Sequence, residues 1–287
     1  VACGRLVYTQ WLNEEGGIEA DLTVTRLTDT AFLIVTGAES ETRDFNWLKR
    51  HIPDDAHAVL TNVSSGMGVI SIMGPNARAL LQSISPNDLS GEAFPFATSQ
   101  EIELGYAIVR ASRITYVGEL GWELYIPTEC MTGVYDEIVA AGTAFGLKHC
   151  GYHALNALRM EKAYRHWGHD ITDEDTPLEA GLGFAVKMDK PGGFIGRDAL
   201  VRQKESGLRQ RLVQFLLKSP EPMLYHNEPI WQGDRIAGYI RSGMFAYTLG
   251  SACGLGYVTA ADGGVVGVIG ADDYEIEIAG VRHPATA

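Results

Sequence analysis

One order of strands and helices occurs twice in this chain and limits its possible folds more than any other feature. Strands followed by a helix are predicted over residues 5–51, and the same order returns over residues 104–146. In the first copy, RLVYTQWL and IEADLTVT alternate as half-buried strands do, AFLIVT is typical of a well-covered strand, and a helix follows over residues 41–51. The repetition predicts two related α+β units, with the first lacking the opening strand and helix of the second.

The pattern changes from Arg211 onward to short strands separated by frequent glycines. The predicted strands contain LVQFLL, EPIWQ, RIAGYIRSG, GSACGLGYV and YEIEIAG. Turns at such regular spacing are typical of a small antiparallel barrel or sandwich. We therefore predict an α+β protein of three parts, at residues 1–62, 63–206 and 207–287.

Composition indicates which kinds of binding partner and which cell compartment to expect. The formal net charge of −13 argues against nucleic acid and favours a small-molecule role. No apolar run approaches the roughly 20 residues that span a bilayer, so no membrane partner is expected. The four cysteines are widely spread without a CxxC pair, which is typical of a reducing compartment. We expect the cytoplasm, or the mitochondrial matrix if the source is eukaryotic.

The segment ITYVGELGWELYIP, residues 114–127, is predicted to be a β-hairpin with its turn at Gly118 and Gly121. On its second arm Glu123 and Tyr125 point to one face. The other face carries Trp122, Leu124 and Ile126. A carboxylate beside aromatic rings suits a flat ligand with hydrogen-bond donors, and it equally suits a solvated strand face. Because glutamate is usually exposed, residue type alone favours the solvated face.

Asp21 lies on the polar face of the predicted strand IEADLTVT, just beyond the Gly16-Gly17 turn. An exposed acid that discourages edge pairing is one interpretation. An acid that faces a cleft and manages a proton or a developing cation is the other. Spacing alone favours the exposed acid.

Other motifs point away from familiar cofactor sites. His166 and His169 flank a glycine, but no third ligand follows at the usual spacing, so no metal site is predicted. Gly192-Gly193 lacks the GxGxxG spacing of a dinucleotide site.

The helix predicted over residues 151–165 would face inward through Leu155, Leu158 and Ala163.

Six ordered motifs resemble the folate-binding aminomethyltransferase family, which includes the T-protein of glycine cleavage. The motifs are VYTQWLNEEGGIEADLTVTRL, SIMGPNARALL, ITYVGELGWELYIP, ALNALRMEKAYRHWGHDITDEDTPLEAGL, GGFIGRDAL and IRSGMFAYTLGSACGLGYV. The wording of YTQWLNEEGGIEAD and LRMEKAYRHWGHDIT is closest to the folate domain of dimethylglycine and sarcosine dehydrogenases. The resemblance implies a cloverleaf of two α+β units and a C-terminal antiparallel β-barrel around a central tetrahydrofolate channel.

The resemblance also assigns roles to individual residues. Asp21 falls on the acid implicated in one-carbon transfer, and Glu123 on the acid that holds the pterin ring. Tyr8 and Tyr116 match tyrosines that line the channel. Leu155 stands where T-proteins usually carry an additional arginine, so that folate contact is not transferred. Arg159 matches the neighbouring family arginine, for which we expect a structural role.

The implied activity is that of a folate-dependent domain of a dimethylglycine- or sarcosine-dehydrogenase-like enzyme. A methylated amine is oxidised to an iminium at a flavin site elsewhere, and tetrahydrofolate captures the carbon as 5,10-methylenetetrahydrofolate. FAD is expected only on a domain or flavoprotein partner outside this chain. Two alternatives stay open: a free aminomethyltransferase that uses a lipoyl carrier, and a folate-binding or regulatory module without turnover.

Overall fold

The computed structural model describes residues 1–261, 264, 266 and 274–287. Their contacts divide the chain into two compact units. The first consists of Val1–Tyr8 and Leu22–His149, and the second of Thr9–Asp21 and Cys150–Ala287. The division into residues 1–62, 63–206 and 207–287 stays a prediction.

The described residues contain helices and strands throughout. The strands are β1 (Leu6–Leu12), β2 (Ile18–Arg26), β3 (Phe32–Val35), β4 (Met67–Met73), β5 (Ser99–Leu104), β6 (Ala107–Ser112), β7 (Gly121–Pro127), β8 (Gln210–Leu217), β9 (Pro229–Gln232), β10 (Arg235–Ala246), β11 (Ser251–Thr259), β12 (Tyr274–Ile278) and β13 (Val281–Thr286). The α-helices are α1 (Glu41–His51), α2 (Ala77–Ile84), α3 (Met131–Gly142), α4 (Tyr152–Glu161) and α5 (Arg197–Ser206). Within the described residues, no helix is both long and apolar enough to cross a membrane.

Each copy of the repeated element contains three strands before its helix. Strands β1, β2 and β3 form one sheet and lead into α1, while β5, β6 and β7 lead into α3 in a sheet of order β4-β7-β6-β5. The prediction missed β5, because its sequence SQEIEL is polar and follows a loop rich in proline. With β5 included, both copies have three strands followed by a helix.

The predicted hairpin is wrong in its first arm. Residues 113–120 form a loop, and β7 pairs instead with β6. The hydroxyl of Thr115 accepts hydrogen bonds from the backbone N–H groups of Val117 and Glu119 at 3.2 and 3.3 Å, so local side-chain bonding replaces a strand ladder here. Gly118 has a positive φ, at +72°. A Cβ at Gly121 would lie 2.4 Å from the carbonyl oxygen of Ile72, which explains that glycine by close backbone approach.

The core of the first compact unit lies on the apolar face of the β4-β7-β6-β5 sheet, together with residues of α2 and α3. Trp122, Leu124 and Ile126 are fully buried there, as the alternation predicted. The ring of Phe94 meets that of Trp122 edge to face, with centroids 5.9 Å apart. Strand β7 is therefore fixed from its apolar side, which leaves its other face for polar residues.

Strand β3 is less covered than predicted, and helix α1 buries a charged residue. Phe32 is 56% exposed, so the interpretation of β3 as a well-covered strand is wrong. In α1, Phe45 and Leu48 are half-buried, and the buried residue is Asp44. Its carboxylate accepts hydrogen bonds from Thr36 and Arg43, which explains how a charged residue is buried at that position.

A closed antiparallel barrel dominates the second compact unit, with strand order β10-β11-β8-β13-β12-β9. Helix α4 packs against β10 and β11. The helix is shorter than predicted because Ala163 takes a positive φ of +52° just after it ends. Its buried residues are Ala157, Arg159 and Met160, whereas Leu155 and Leu158 are only half-buried. The prediction was therefore wrong for Leu155 and Leu158, whereas Ala163 packs against the core cluster that contains Met160.

Candidate functional site

Glu123 and Tyr125 form a hydrogen-bonded pair on the polar face of β7. The Tyr125 hydroxyl donates to Oε2 of Glu123 across 2.6 Å. Glu123 is half-buried, and Tyr125 is 4% exposed. The preference for a solvated Glu123 is therefore wrong, because the polar face of β7 is itself largely covered.

Burial perturbs both ionisable groups of this pair. Burial raises the pKa of Glu123, and the hydrogen bond from Tyr125 acts in the opposite direction. Burial raises the pKa of Tyr125 well above its ordinary value, and the Glu123 charge and hydrogen bond add to that effect. Tyr125 consequently keeps its proton and can act as a donor to the carboxylate. Such a perturbed carboxyl on a rigid strand is typical of a ligand-binding position.

The strands beside β7 place small polar residues next to Glu123. Ser71 of β4 and Ser112 of β6 are its cross-strand partners. The Ser112 hydroxyl donates to Ser99 Oγ at 3.0 Å, so it bonds away from β7. The side chains directly across from Glu123 are therefore short and uncharged.

Asp21 occupies the polar side of β2, as the alternation predicted. Ile18, Ala20 and Leu22 are buried, whereas Asp21 is half-buried. The side-chain amide of Gln10, on the neighbouring strand β1, donates to Asp21 Oδ1 at 3.0 Å. Asp21 is therefore not the fully exposed acid that spacing favoured, and its carboxylate has a defined orientation.

A segment at residues 166–176 holds the start of β2 in the second compact unit. The indole N–H of Trp167 donates to the Ile18 carbonyl at 2.7 Å. The Ile18 N–H donates to the carbonyl of Asp175 at 3.0 Å, and the Asn13 amide to that of Asp173 at 3.0 Å. The HWGHD motif, whose histidines suggest a metal site at first sight, is thus part of the support for the strand that carries Asp21.

This segment is itself fixed by buried carboxylates. Asp175 accepts hydrogen bonds from the backbone and hydroxyl of Thr172, and burial raises its pKa. Asp170 is fully buried and forms an ion pair with Arg159, which is 1% exposed. Arg159 also donates to Asn156 and Ser242. The expected structural role of Arg159 agrees with this network.

Tyr8, Tyr116 and Glu123 belong to the first compact unit, and Asp21 belongs to the second. Tyr8 and Tyr116 are half-buried. Sequence reasoning missed Tyr125 and Gln10 as partners of the two acids. The alternation in WELYIP already placed Tyr125 on the face of Glu123, whereas the link between Gln10 and Asp21 requires the register of two strands. Among the described residues, no group of three or more His, Cys, Asp or Glu side chains could hold a metal ion.

Comparison with known families gives two matches that together cover most of the chain. Residues 1–190 match the GCVT N-terminal domain, and residues 210–287 match the glycine cleavage T-protein C-terminal barrel domain. The aminomethyltransferase T of the glycine cleavage system from Bartonella henselae has the same fold, with a TM-score of 0.86. That structure is 24% identical and is aligned over all of this chain and 75% of its own.

Among curated proteins, human mitochondrial sarcosine dehydrogenase is 39% identical over 99% of the chain and 33% of its own length. The mouse mitochondrial pyruvate dehydrogenase phosphatase regulatory subunit is 36% identical over the whole chain and 34% of its own length. The chain thus spans about a third of the length of these relatives. An aminomethyltransferase from Listeria monocytogenes is 34% identical over 91% of the chain and 70% of its own length. The chain therefore belongs to the glycine cleavage T-protein family of aminomethyltransferase-type domains.

Proposed function

We propose that this chain is a tetrahydrofolate-dependent one-carbon transfer domain of a dimethylglycine- or sarcosine-dehydrogenase-like enzyme. The observation that carries the proposal is the half-buried Glu123 carboxylate, held by Tyr125 on a rigid strand. The pterin ring presents neighbouring N–H donors, and a carboxylate is the side chain that accepts such a pair. Sequence similarity to sarcosine and dimethylglycine dehydrogenases over nearly the whole chain supports the same function.

The side chains that we assign to the site in the first compact unit suit a folate. Glu123 would accept hydrogen bonds from the pterin, and the half-buried tyrosines Tyr8 and Tyr116 would contact its flat rings. Apolar and aromatic walls with a few placed polar groups are typical of small-molecule sites. Tetrahydrofolate supplies two nucleophilic amine nitrogens for the reaction.

In the proposed reaction, an iminium carbon forms two bonds to tetrahydrofolate and loses its bond to the parent amine. The products are 5,10-methylenetetrahydrofolate, the demethylated amine and one proton. Formaldehyde reacts at the same oxidation level and releases water instead of the amine. Asp21 would accept the proton from the attacking nitrogen and stabilise the cationic centre, with its orientation fixed by Gln10.

Oxidation of the amine is assigned to a flavin on a separate domain or partner. The sequence contains no GxGxxG fingerprint for a dinucleotide. The methylated amine or its iminium would therefore be shared between that flavoprotein and this domain, with tetrahydrofolate as the acceptor here.

The Asp21→Asn variant tests the proposed chemistry. We expect enzymatic capture of formaldehyde by tetrahydrofolate to fall by about 100-fold, because general acid–base catalysis contributes about that much. The affinity for tetrahydrofolate should stay within about twofold, since asparagine keeps the size of the side chain. The rate is measured by stopped-flow absorbance after subtraction of the uncatalysed reaction. Asp29→Asn, at an exposed position, is the matched control.

A second candidate is a folate-binding regulatory module. The observation that favours it is the 36% identity to the pyruvate dehydrogenase phosphatase regulatory subunit over the whole chain. A regulatory module would bind tetrahydrofolate and capture formaldehyde no faster than the uncatalysed reaction. Equal rates for wild type and Asp21→Asn, with intact folate binding, would favour it. Turnover that requires a lipoyl carrier would instead favour a free aminomethyltransferase.

A further inference from the structure

We propose that Tyr125 is a positioning residue that holds the Glu123 carboxylate in the orientation required by a ligand with paired N–H donors. This inference rests on the proposed function, because it assigns Glu123 to folate binding. Tyr125 itself would act through Glu123, without contact with the ligand. Neither the family resemblance nor the sequence pattern assigns a role to this residue.

The geometry restricts the carboxylate strongly. Tyr125 lies two residues beyond Glu123 on the same strand, so both side chains leave the same face of β7. The 2.6 Å hydrogen bond ends on Oε2, and it fixes the rotation of the carboxyl group about its last bond. The ring of Tyr125 is 4% exposed, so its own position is set by packing. A bidentate contact needs this restriction, because a freely rotating carboxylate would lose entropy on binding.

The charged groups on the strands beside β7 form an ion pair with each other. The residues across from Tyr125 are Val69 on β4 and Arg110 on β6. Arg110 forms an ion pair with Glu101 of β5, at 2.6 Å. The residues across from Glu123 are two serines. Charged groups that face the pair from these strands are therefore Arg110 and Glu101, which neutralise each other.

The same hydrogen bond affects the protonation of Glu123. A donor to the carboxylate stabilises its ionised form, so Tyr125 lowers the pKa of Glu123 against the rise caused by burial. The ionised form is the one that accepts two N–H groups. Without the hydroxyl, Glu123 would take up a proton at higher pH, and ligand binding would be lost at higher pH than in the wild type.

The test is calorimetric titration of the 287-residue chain with tetrahydrofolate, under nitrogen, at several pH values. Tyr125→Phe removes the hydroxyl and keeps the buried ring. We expect its affinity at neutral pH to fall about tenfold, the usual effect of losing a hydrogen bond to a charged group. We also expect its loss of binding on acidification to occur at higher pH. Tyr135→Phe, which changes an exposed tyrosine of α3, should match the wild type.

Two further variants keep the test decisive. Glu123→Gln cannot titrate, so its weaker binding should be independent of pH in this range, and Tyr125→Phe should add little in that background. If Glu123→Ala binds as well as the wild type, the proposed function fails. If Glu123→Ala loses binding but Tyr125→Phe has the affinity and pH profile of the wild type, the role of Tyr125 is overturned. Thermal melting of each variant checks that the compared proteins are folded, and Tyr125→Phe should keep the fold because the buried ring is retained.

Discussion

At the scale of single residues, Glu123 has a consequence for stability as well as for binding. Its pKa in the folded state is raised above the value of 4.5 for a solvated glutamate, chiefly by burial. At pH values between 4.5 and the raised pKa of the folded state, the folded protein binds a proton that the unfolded chain does not. The contribution of Glu123 to the free energy of unfolding is therefore most favourable at low pH and falls as pH rises through this window.

The Glu123→Gln variant tests this sign. Glutamine fits the same space and has no proton to lose. We expect the stability of Glu123→Gln relative to the wild type to increase as pH rises from about 4 to about 8. Urea unfolding at fixed pH values measures the difference. A difference that stays constant, or moves in the opposite direction, would rule out a raised pKa for Glu123.

The sequence predicted the side of the strand for both acids, but not their environment. Alternation in IEADLTVT and WELYIP correctly placed Asp21 and Glu123 on polar faces. Burial depends on what packs over those faces, and residue type favours exposure for any acid. Tyr125 could have been proposed as a partner from its i+2 spacing, whereas Gln10 could not, because strand register is not contained in a single strand's pattern.

At the scale of elements, the turn between β1 and β2 requires a glycine at a position where no side chain would fit. A Cβ at Gly17 would lie 1.8 Å from the carbonyl oxygen of Asp173. We expect Gly17→Ala to lower the free energy of unfolding by about 3 kcal/mol or more, because the backbone contact has no flexible partner to move. Differential scanning calorimetry measures the change.

Gly133→Ala is the matched control for that substitution. Gly133 lies inside α3, and a Cβ there would meet nothing within 4 Å. Because alanine has a better helix propensity than glycine, the free energy of unfolding of this variant should be about 0.5–1 kcal/mol higher than that of the wild type. If both variants had the same free energy of unfolding, the close backbone contact between Gly17 and Asp173 would be contradicted.

The hydrogen bond from Trp167 to β2 gives a second prediction for this region. Trp167→Phe keeps an aromatic ring and loses the N–H that bonds the Ile18 carbonyl. We expect faster hydrogen exchange at residues 16–21 and a several-fold lower rate of formaldehyde capture, because Asp21 lies three residues further along this strand.

Trp231→Phe controls for the loss of an indole hydrogen bond. Its N–H bonds Glu277 across β9 and β12 of the barrel, at 2.8 Å. This variant should leave both the exchange at residues 16–21 and the capture rate unchanged. If hydrogen exchange at residues 16–21 in Trp167→Phe equalled that of the wild type, the other hydrogen bonds to β2 would be sufficient to hold it without the Trp167 bond.

Element boundaries were predictable where hydrophobic periodicity was strong. All five barrel segments that the sequence indicated contain strands, and helix α1 spans the predicted residues 41–51. The failures have local physical causes. Strand β5 is polar, the 113–120 loop is held by the Thr115 hydroxyl, and α4 buries Arg159 within an ion-paired network that periodicity treats as a polar face.

At the scale of the whole molecule, the sequence correctly predicted a mixture of helices and sheets, and of its two C-terminal alternatives, barrel or sandwich, the described strands form the closed barrel. The family resemblance was needed for the function, because no single motif carries a recognisable chemistry. The structure adds a reason why both acids suit a site. Each is half-buried on a strand and held by a hydrogen bond from a neighbouring side chain, Gln10 for Asp21 and Tyr125 for Glu123.

The proposed function depends above all on binding of a folate through Glu123, which calorimetric titration with tetrahydrofolate measures without any catalytic step. We predict saturable binding to the wild type and at least about tenfold weaker binding to Glu123→Ala, since the variant removes a charge-assisted acceptor. Equal affinity in the two proteins, or no binding to the wild type, would refute the assignment of Glu123 to a folate site.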